Sequence, residues 1–436
     1  MPKSVVLLSI PGLRSRDLGA MPRLLDLSRK GVSVPLTHSF PAVTAPVQAT
    51  LTTGVGPERH GVVANSLYLR DKGEVETWPA WGEMVQAPPI WETLKQRDAT
   101  ITSALWFPAL AKRANADLVC MLTTDNADLD RSRTCDTRPP ELSAALQDSL
   151  GPFPGAQPRG ARLKQAAWIV DSFVQSAYVA RPRFSYVALS HLEMAALKFG
   201  PDSTEVLTAV AELDMAIGAL VDGFAAAGIK DVTWLVASEY CIGPVTSVGS
   251  PNRTLREAGL LTPVASDGVE HLALRDAKAF ALVDHQLAHV YVRDHSDIAS
   301  VAAALRGDPA VDQVLVGEAR AAVGLNHERS GEIVLLARPE SWFAYDWWLD
   351  DADAPRVVPA HQKLGWDPVE LLRNEQDSGR WPDATLIKGA HGLVTTEASR
   401  GGILVSSESH PWLAGRESGV RDTDVSRLVF ELFGLG

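Results

Sequence analysis

The sequence contains little cysteine, no long apolar segment and no run of basic residues. Its 436 residues include three cysteines, Cys120, Cys135 and Cys241, which are widely spaced and form no CxxC pair. This scattered, odd-numbered set excludes a disulfide scaffold, argues against a structural zinc site and predicts a reducing, cytoplasmic location. No stretch approaches the roughly 18 consecutive apolar residues of a membrane-spanning helix, so we expect no membrane partner.

Basic residues are fewer than acidic ones. Lys and Arg total 41 against 53 Asp and Glu, which gives a net charge of −12 at pH 7. Because an acidic chain repels polyanions, nucleic-acid polymers and anionic membranes are excluded as partners. The hydrophobic content of 46% is that of an ordinary globular protein, which excludes a disordered chain. The length predicts two domains, or one large α/β domain with an insertion.

Apolar segments alternate with helical patterns along much of the chain. The segments that predict buried strands are residues 5–10, 101–107, 184–190 and 232–238. The segments that predict helices are residues 21–30, 162–180 and 206–227. This alternation is typical of a mostly parallel sheet that is covered by helices on both faces. Functional groups are then expected after the strands, at their carboxyl ends.

The pattern changes in the second half of the chain. Residues 245–384 contain Pro/Gly turns, short strands over 279–283 and 332–337, and an aromatic cluster over 342–348. We interpret this region as an inserted α+β cap between two parts of the core, residues 1–244 and 385–436. The aromatic cluster could stack a nucleobase or sugar, although packing is the simpler explanation. Residues 123–140 are polar and predict a loop.

A polar segment follows the first predicted helix. Residues 40–54 read FPAVTAPVQATLTTG, and residues 57–65 read PERHGVVAN. Thr44 precedes a predicted helix that has Pro46 in its first turn. A hydroxyl there lies among free backbone N–H groups at the positive end of the helix dipole, which suits a phosphoryl group. Taken alone, however, a threonine at this position is better explained as a helix N-cap.

Together the two segments resemble the nucleophile region of the type I phosphodiesterase/nucleotide pyrophosphatase branch of the alkaline phosphatase superfamily. Every fixed position of that pattern is present, and residues 199–203 (FGPDS) and 388–392 (KGAHG) match later segments in order. The resemblance implies an α/β fold: an alkaline-phosphatase-like core with a mostly parallel sheet sandwiched by helices, plus a cap. It also implies a hydrolase in which Thr44 takes the phosphoryl group and Asn65 hydrogen-bonds a phosphate oxygen. Two cations would activate the threonine hydroxyl.

The chain departs from this family at most of the positions that hold the two cations. The ligand is lost at three of them: Pro11, Leu197 and Tyr240. Glu193 and Glu239 stand where the family has aspartate, and His391 is unchanged. The resemblance therefore implies a divalent cation at Glu193, Glu239 and His391, with Thr44 as a candidate fourth ligand. This oxygen-rich set favours Mn²⁺ or Mg²⁺ over Zn²⁺, with one or two ions bound.

Five residues are further candidates for contacts with the substrate: Tyr240, His285, His289, His361 and Lys363. Tyr240 could ligate a cation or hydrogen-bond a phosphate oxygen. His285 and His289 lie four residues apart and share one face in either a helix or a strand, although such pairs are more often structural. His361 and Lys363 lie in a predicted loop, where either could bind phosphate.

Three functions are compatible with these residues. The first is a metal-dependent phosphohydrolase that acts on a small phosphorylated molecule. The second is a weak or inactive relative that binds a phosphorylated ligand or a protein partner, because lost cation ligands remove transition-state stabilisation. A bound cation would favour the enzyme, whereas a Glu–Tyr hydrogen bond across an empty site would favour the inactive relative. The third hypothesis is phosphoryl or sulfuryl transfer to another acceptor. Without a cation, Glu193 and Glu239 would both face an anionic substrate.

Overall fold

The computed structural model describes residues 3–77, 81–122, 135–154, 161–266, 269–350, 384–395 and 401–436. The helices in these ranges are α1 (Pro22–Lys30), α2 (Thr44–Thr53), α3 (Pro57–His60), α4 (Ile90–Arg97), α5 (Glu141–Leu150), α6 (Ala161–Ala180), α7 (Glu193–Phe199), α8 (Thr204–Ala226), α9 (Pro251–Glu257), α10 (Ile298–Leu305), α11 (Glu318–Ala321) and α12 (Val425–Leu432). The strands are β1 (Ser4–Ile10), β2 (Val32–Thr37), β3 (Ser66–Leu69), β4 (Glu74–Thr77), β5 (Ser103–Trp106), β6 (Leu118–Leu122), β7 (Cys135–Arg138), β8 (Phe184–Ala188), β9 (Val232–Ser238), β10 (Gly243–Pro244), β11 (Ser247–Gly249), β12 (Val264–Ser266), β13 (Val269–His271), β14 (Ala279–Asp284), β15 (Leu287–Val292), β16 (Val311–Val316), β17 (Ile333–Ala337), β18 (Ser341–Phe343), β19 (Gly389–Ala390), β20 (Gly402–Ser406) and β21 (Val420–Arg421).

A nine-stranded sheet lies at the centre of the described fold, in the order β21-β2-β20-β9-β1-β8-β5-β6-β7. Its five middle strands, β9 to β6, run parallel, and β20 and β7 pair antiparallel beside them. Every residue of β1 is buried, and Leu7 pairs with Tyr186 on one side and Leu235 on the other. Burial on both faces explains why these strands are apolar without alternation. The predicted mostly parallel sheet is confirmed.

Two groups of helices cover this sheet. Helices α1 and α6 pack against α8, and helices α2 and α4 pack against α12. Helix α8 follows Ser203, whose hydroxyl accepts a hydrogen bond from the backbone N–H of Val206 and so caps the first turn. The apolar sides of both groups join the strands in one hydrophobic core. This arrangement confirms the predicted α/β fold.

A smaller antiparallel sheet lies within the region predicted as a cap. Its strand order is β14-β15-β17-β16, and it has a hydrophobic core of its own with α9 and α10. Trp342, Trp347 and Trp348 of the aromatic cluster are buried, which supports packing rather than base stacking. The predicted domain limits at residues 244 and 384 stay a prediction.

Some strands were not expected from the sequence. The loop predicted over residues 123–140 contains β7, while residues 123–134 lie outside the described ranges. Only alternate residues of β7 are buried, because it is an edge strand with one covered face, and four such residues give a weak apolar pattern. None of the helices in the described ranges is both long and apolar enough to cross a membrane.

Candidate active site

The candidate site lies where several core strands end. Glu239 and Tyr240 follow β9, His391 follows β19, and Glu193 opens α7 after β8. Thr44 is the first residue of α2 rather than its cap, because Val43 occupies the N-cap position. The helix ends at Gly54, where a left-handed backbone (φ +75°) reverses the chain. The structure thus brings four segments that are far apart in the sequence to the edge of the sheet where α/β sites are expected.

A chain of hydrogen bonds connects the threonine to a carboxylate. The Tyr240 hydroxyl lies 3.0 Å from Oγ1 of Thr44 and donates to Oε1 of Glu193 at 2.5 Å. Because a phenol carries one proton, which Tyr240 gives to Glu193, the bond to Thr44 must be donated by the threonine. The Thr44 proton is therefore directed at Tyr240, and the lone pairs of Oγ1 are left for another partner.

His391 lies beside this chain in a fixed tautomer. Its Nδ1 is 2.9 Å from the carbonyl oxygen of Ala42, which can only accept, so Nδ1 carries the proton. Its Nε2 lies 3.7 Å from Oε1 of Glu193, and no hydrogen bond reaches this buried nitrogen. The ring stacks on Tyr240 at 4.0 Å between centroids, and it lies 3.7 Å from the ring of His285, which is tilted by 36°. Burial, with His285 adding to it, lowers the pKa of His391, so the imidazole is neutral.

Glu239 is fully buried behind the hydrogen-bonded chain. Its Oε1 accepts from Ser9 at 2.8 Å and from Gln48 at 2.9 Å, and no donor reaches its Oε2. Burial raises the pKa of Glu239 to about 8; the Ser9 and Gln48 hydrogen bonds oppose this, and the nearby Glu193 adds to it. Glu239 is therefore mostly neutral at pH 7 and adds little negative charge to the site.

A half-buried arginine lies close enough to Glu193 to interact with its carboxylate. Arg162 lies near the start of α6 and donates through Nη1 to the carbonyl oxygen of Ser190 at 3.1 Å. Burial lowers the pKa of Arg162, and the charge of Glu193 opposes that change, so the two groups interact. The guanidinium stays charged because its ordinary pKa lies far above neutrality.

Asn65 lies against the first turn of α2. Its Oδ1 accepts from the backbone N–H of Ala45 at 2.8 Å. Its Nδ2 donates to Oδ1 of Asp284 at 3.0 Å, and its backbone N–H donates to Oδ2 of the same carboxylate at 2.8 Å. Besides the hydrogen that it donates to Asp284, the Nδ2 group carries a second N–H hydrogen.

The described residues do not fit a two-cation centre. Pro11 has no side-chain donor, and Leu197 packs in the hydrophobic core. Tyr240 donates a hydrogen bond to Glu193, and Glu239 accepts hydrogen bonds from Ser9 and Gln48. Within the described ranges, no group of three or more His, Cys, Asp and Glu residues is placed to hold a metal ion. The predicted ligand set of Glu193, Glu239 and His391 is thus not assembled as one group.

The remaining candidates have different outcomes. His285 reaches the site, in the turn between β14 and β15, with a left-handed backbone (φ +56°). His289 does not share its face, because β15 carries it into the small sheet. There its two ring nitrogens bond the carbonyl oxygen of Val63 (3.2 Å) and the N–H of Gly331 (3.1 Å). His361 and Lys363 lie outside the described residues.

Four site residues were missed from the sequence: Ser9, Gln48, Arg162 and Asp284. Gln48 could have been predicted from the sequence, because it lies four residues after Thr44 and therefore on the same face of the helix. Ser9 is a polar residue in an otherwise apolar strand, which was a weaker signal. Arg162 and Asp284 had none, because only the tertiary fold brings them to the site.

A cavity of about 440 Å³ lies beside α2, one helical turn beyond Thr44. Gln48, Trp91, Arg113 and Tyr186 are among the residues that line it. Its volume falls in the range that accommodates small organic ligands. Because Gln48 also bonds Glu239, the cavity adjoins the site from the side of the sheet.

Residues 5–368 match the protein family described as type I phosphodiesterase / nucleotide pyrophosphatase. The chain belongs to this family. An uncharacterised pyrophosphatase/phosphodiesterase of Schizosaccharomyces pombe is 24% identical over 255 residues, which cover 56% of this chain and 45% of that protein. Mouse ectonucleotide pyrophosphatase/phosphodiesterase family member 1 is 23% identical over 250 residues, or 54% of this chain and 23% of that protein. The chain spans less than half the length of the curated relatives it matches.

Solved structures share the fold over nearly the whole chain. Inactive murine ectonucleotide pyrophosphatase/phosphodiesterase 5 in complex with AMP superposes with a TM-score of 0.65 at 16% identity, covering 100% of this chain and 96% of that one. Phosphonoacetate hydrolase from Sinorhizobium meliloti, in complex with phosphonoformate, gives a TM-score of 0.64 at 17% identity, covering 99% and 96%. At these identities the likeness concerns the fold alone.

Proposed function

We propose that this chain hydrolyses phosphoric ester or pyrophosphate bonds of a small phosphorylated molecule, with Thr44 as the nucleophile. One observation carries the proposal: the Thr44 hydroxyl opens helix α2, and hydrogen bonds lead from it through Tyr240 to the Glu193 carboxylate. Family membership supports the reaction class, and proteins of the same fold bind AMP and phosphonoformate. The adjoining cavity suits a small organic group.

The proposed reaction has two steps. Oγ1 of Thr44 bonds to phosphorus while the bond to the leaving oxygen breaks, and that oxygen takes the electron pair. The threonine proton passes to Tyr240, whose own proton passes to Glu193, so the hydroxyl gains nucleophilicity as the bond forms. Water then bonds to phosphorus while the P–Oγ1 bond breaks. The proton held by Glu193 returns through Tyr240 to Oγ1 of Thr44, and the proton lost by water leaves with the phosphorylated product. The positive end of α2 stabilises the developing negative charge.

A second function has an observation in its favour. The Tyr240–Glu193 hydrogen bond crosses the site at the positions where the family holds cations. In a weak or inactive relative, this bond would fill the place of the cations, and the site would bind a phosphorylated ligand without turning it over. The two functions differ in whether Thr44 becomes phosphorylated.

A metal titration with chromogenic esters tests the proposal. Purified protein is stripped with EDTA and assayed on bis-p-nitrophenyl phosphate and p-nitrophenyl phosphate, without metal and with Mn²⁺, Mg²⁺ or Zn²⁺. We expect turnover that disappears in Thr44→Ala, and a phosphorylated Thr44 peptide in quenched reactions by mass spectrometry. Turnover without added metal supports proton transfer from Thr44 to Tyr240. Turnover only when a cation is added supports the predicted cation requirement.

Two controls separate the alternatives. The variant Tyr240→Phe removes the hydroxyl that accepts the Thr44 proton. Its control is Tyr291→Phe, which removes a buried hydroxyl in the small sheet that donates to the carbonyl oxygen of Arg329, outside the site. AMP binding is measured by calorimetry on the wild type and on Thr44→Ala. AMP binding without turnover under any metal condition would favour the inactive relative and exclude hydrolysis of these esters.

A further inference from the structure

We propose that Asp284 is a positioning residue, which holds the amide of Asn65 in the orientation that binds the phosphate group. This inference rests on the proposed function and on the role that the family resemblance implies for Asn65, a hydrogen bond to a phosphate oxygen. Asp284 ends strand β14 and belongs to the tip segment, residues 284–286, of the β14–β15 hairpin. The hairpin is part of the small sheet, so an element outside the core helps to build the site.

The tip segment contacts the site through each of its three residues. Asp284 accepts both hydrogen bonds from Asn65 described above. The ring of His285 lies 3.7 Å from that of His391, and the N–H of Gln286 donates to the carbonyl oxygen of His391 at 3.0 Å. These contacts attach the tip segment both to the phosphate side of the site and to His391.

The chemistry of its neighbours fixes the Asn65 amide in one orientation. The backbone N–H of Ala45 can only donate, so the amide must present Oδ1 to it. The Asp284 carboxylate can only accept, so the amide must present Nδ2 to it. In a flipped amide, Nδ2 would face the N–H of Ala45 and Oδ1 would face the Asp284 carboxylate, so neither hydrogen bond could form. Because both carboxylate oxygens bond Asn65, Asp284 fixes the backbone as well as the side chain.

The turn itself is energetically unfavourable. His285 has a left-handed backbone at φ +56°, in a two-residue connection where glycine and asparagine are preferred. A non-glycine residue in this region costs free energy, and such residues are concentrated at functional sites. The strained turn is consistent with a tip segment selected for what it holds in the site.

The isosteric variant Asp284→Asn tests the inference. Its side-chain amide replaces one acceptor oxygen by a donor, so the arrangement in which each Asn65 group has its own oxygen is lost, while the size of the residue is kept. We expect kcat/KM for bis-p-nitrophenyl phosphate to fall by roughly 10- to 100-fold, as for other residues that orient a ligand-binding group. Asn252→Ala is the matched control. It removes two hydrogen bonds to Ala281 of the same strand without touching Asn65, and we expect kcat/KM to stay near that of the wild type.

A double-mutant cycle shows whether Asp284 acts through Asn65. If it does, Asp284→Asn lowers kcat/KM little further in the Asn65→Ala background, and the two effects are strongly non-additive. Additive losses would overturn the inference, as would an Asp284→Asn enzyme with wild-type kcat/KM. Asp284→Ala provides a second variant if the asparagine variant does not fold.

Two readouts are independent of turnover. Crystal structures of Asp284→Asn and the wild type should differ in the position of the Asn65 side chain, and an unchanged position would overturn the inference whether or not the protein is an enzyme. Calorimetric titration with inorganic phosphate should show weaker binding to Asp284→Asn than to Asn252→Ala. Absence of turnover in the wild type would refute the proposed function alone, because the position of the Asn65 side chain still decides the role of Asp284.

Discussion

The buried carboxyl of Glu239 should make the stability of this protein depend on pH. Its pKa in the folded state is about 8, against an ordinary value of 4.5, so the folded state keeps a proton that the unfolded chain loses. The free energy of unfolding is therefore highest below about pH 4.5 as far as this group is concerned. It falls as the pH rises through the window from 4.5 to about 8, and is constant above it.

The size of the effect follows from the width of the window. Each pH unit in it lowers the free energy of unfolding by about 1.4 kcal/mol, so the carboxyl contributes up to about 5 kcal/mol in total. Glu239→Gln removes the ionisation but keeps an oxygen that can accept from Ser9 and Gln48. The new NH₂ group has no acceptor at the position of Oε2, but that cost is the same at every pH.

Urea denaturation at pH 5, 6.5 and 8 in the presence of EDTA measures the difference. We expect the free energy of unfolding of the wild type to fall relative to Glu239→Gln by several kcal/mol between pH 5 and pH 8. Parallel pH curves for the two proteins would refute the reasoning. Repeating the series with Mn²⁺ tests the ligand prediction, because a cation bound to Glu239 would lower its pKa and remove the difference.

Three further outcomes can be checked on single variants. Tyr240→Phe should lower kcat by about 10²-fold or more, the usual range for a proton-transfer group, while the control Tyr291→Phe should not; equal rates would remove Tyr240 from the proposed route. His289→Ala should lower the free energy of unfolding in urea by about 2–4 kcal/mol with kcat unchanged, because two buried backbone groups lose their partner; a loss of kcat would place this residue in the site. Gly54→Ala should lower the melting temperature measured by circular dichroism, because a Cβ atom would lie 2.1 Å from Oγ of Ser426 and φ is +75°; an unchanged value would contradict the left-handed helix end.

The parts of the fold predicted from the sequence are those with a local pattern. The buried strands β1 and β9 are continuous apolar runs, and their limits agree with the prediction to within one residue. The edge strand β7 was missed, since half of its residues face solvent. The spacing of His285 and His289 predicted that the two side chains share one face. They do not, because His285 lies in the turn between β14 and β15 whereas His289 lies within β15.

The net charge of −12 left open how such a chain could accept an anionic substrate. The structure reduces the difficulty, because burial keeps Glu239 mostly neutral at pH 7 and Arg162 interacts with Glu193. The site therefore carries less negative charge than its residue types indicate. No composition count can give this, since the protonation of a carboxyl depends on its surroundings.

By itself the sequence determined the α/β fold and the segment that carries Thr44 and Asn65. Both depend on residues that are close in the chain: the spacing of apolar residues predicts the strands and helices, and a short motif marks the segment. The tertiary structure alone decided which groups meet there. Tyr240 reaches Thr44 across 196 residues, and Asp284 reaches Asn65 across 219. Hydrogen bonds over such separations depend on how strands and hairpins pack, which leaves no periodic trace in the chain. The protonation state of Glu239 was decided in the same way, by the burial that packing imposes.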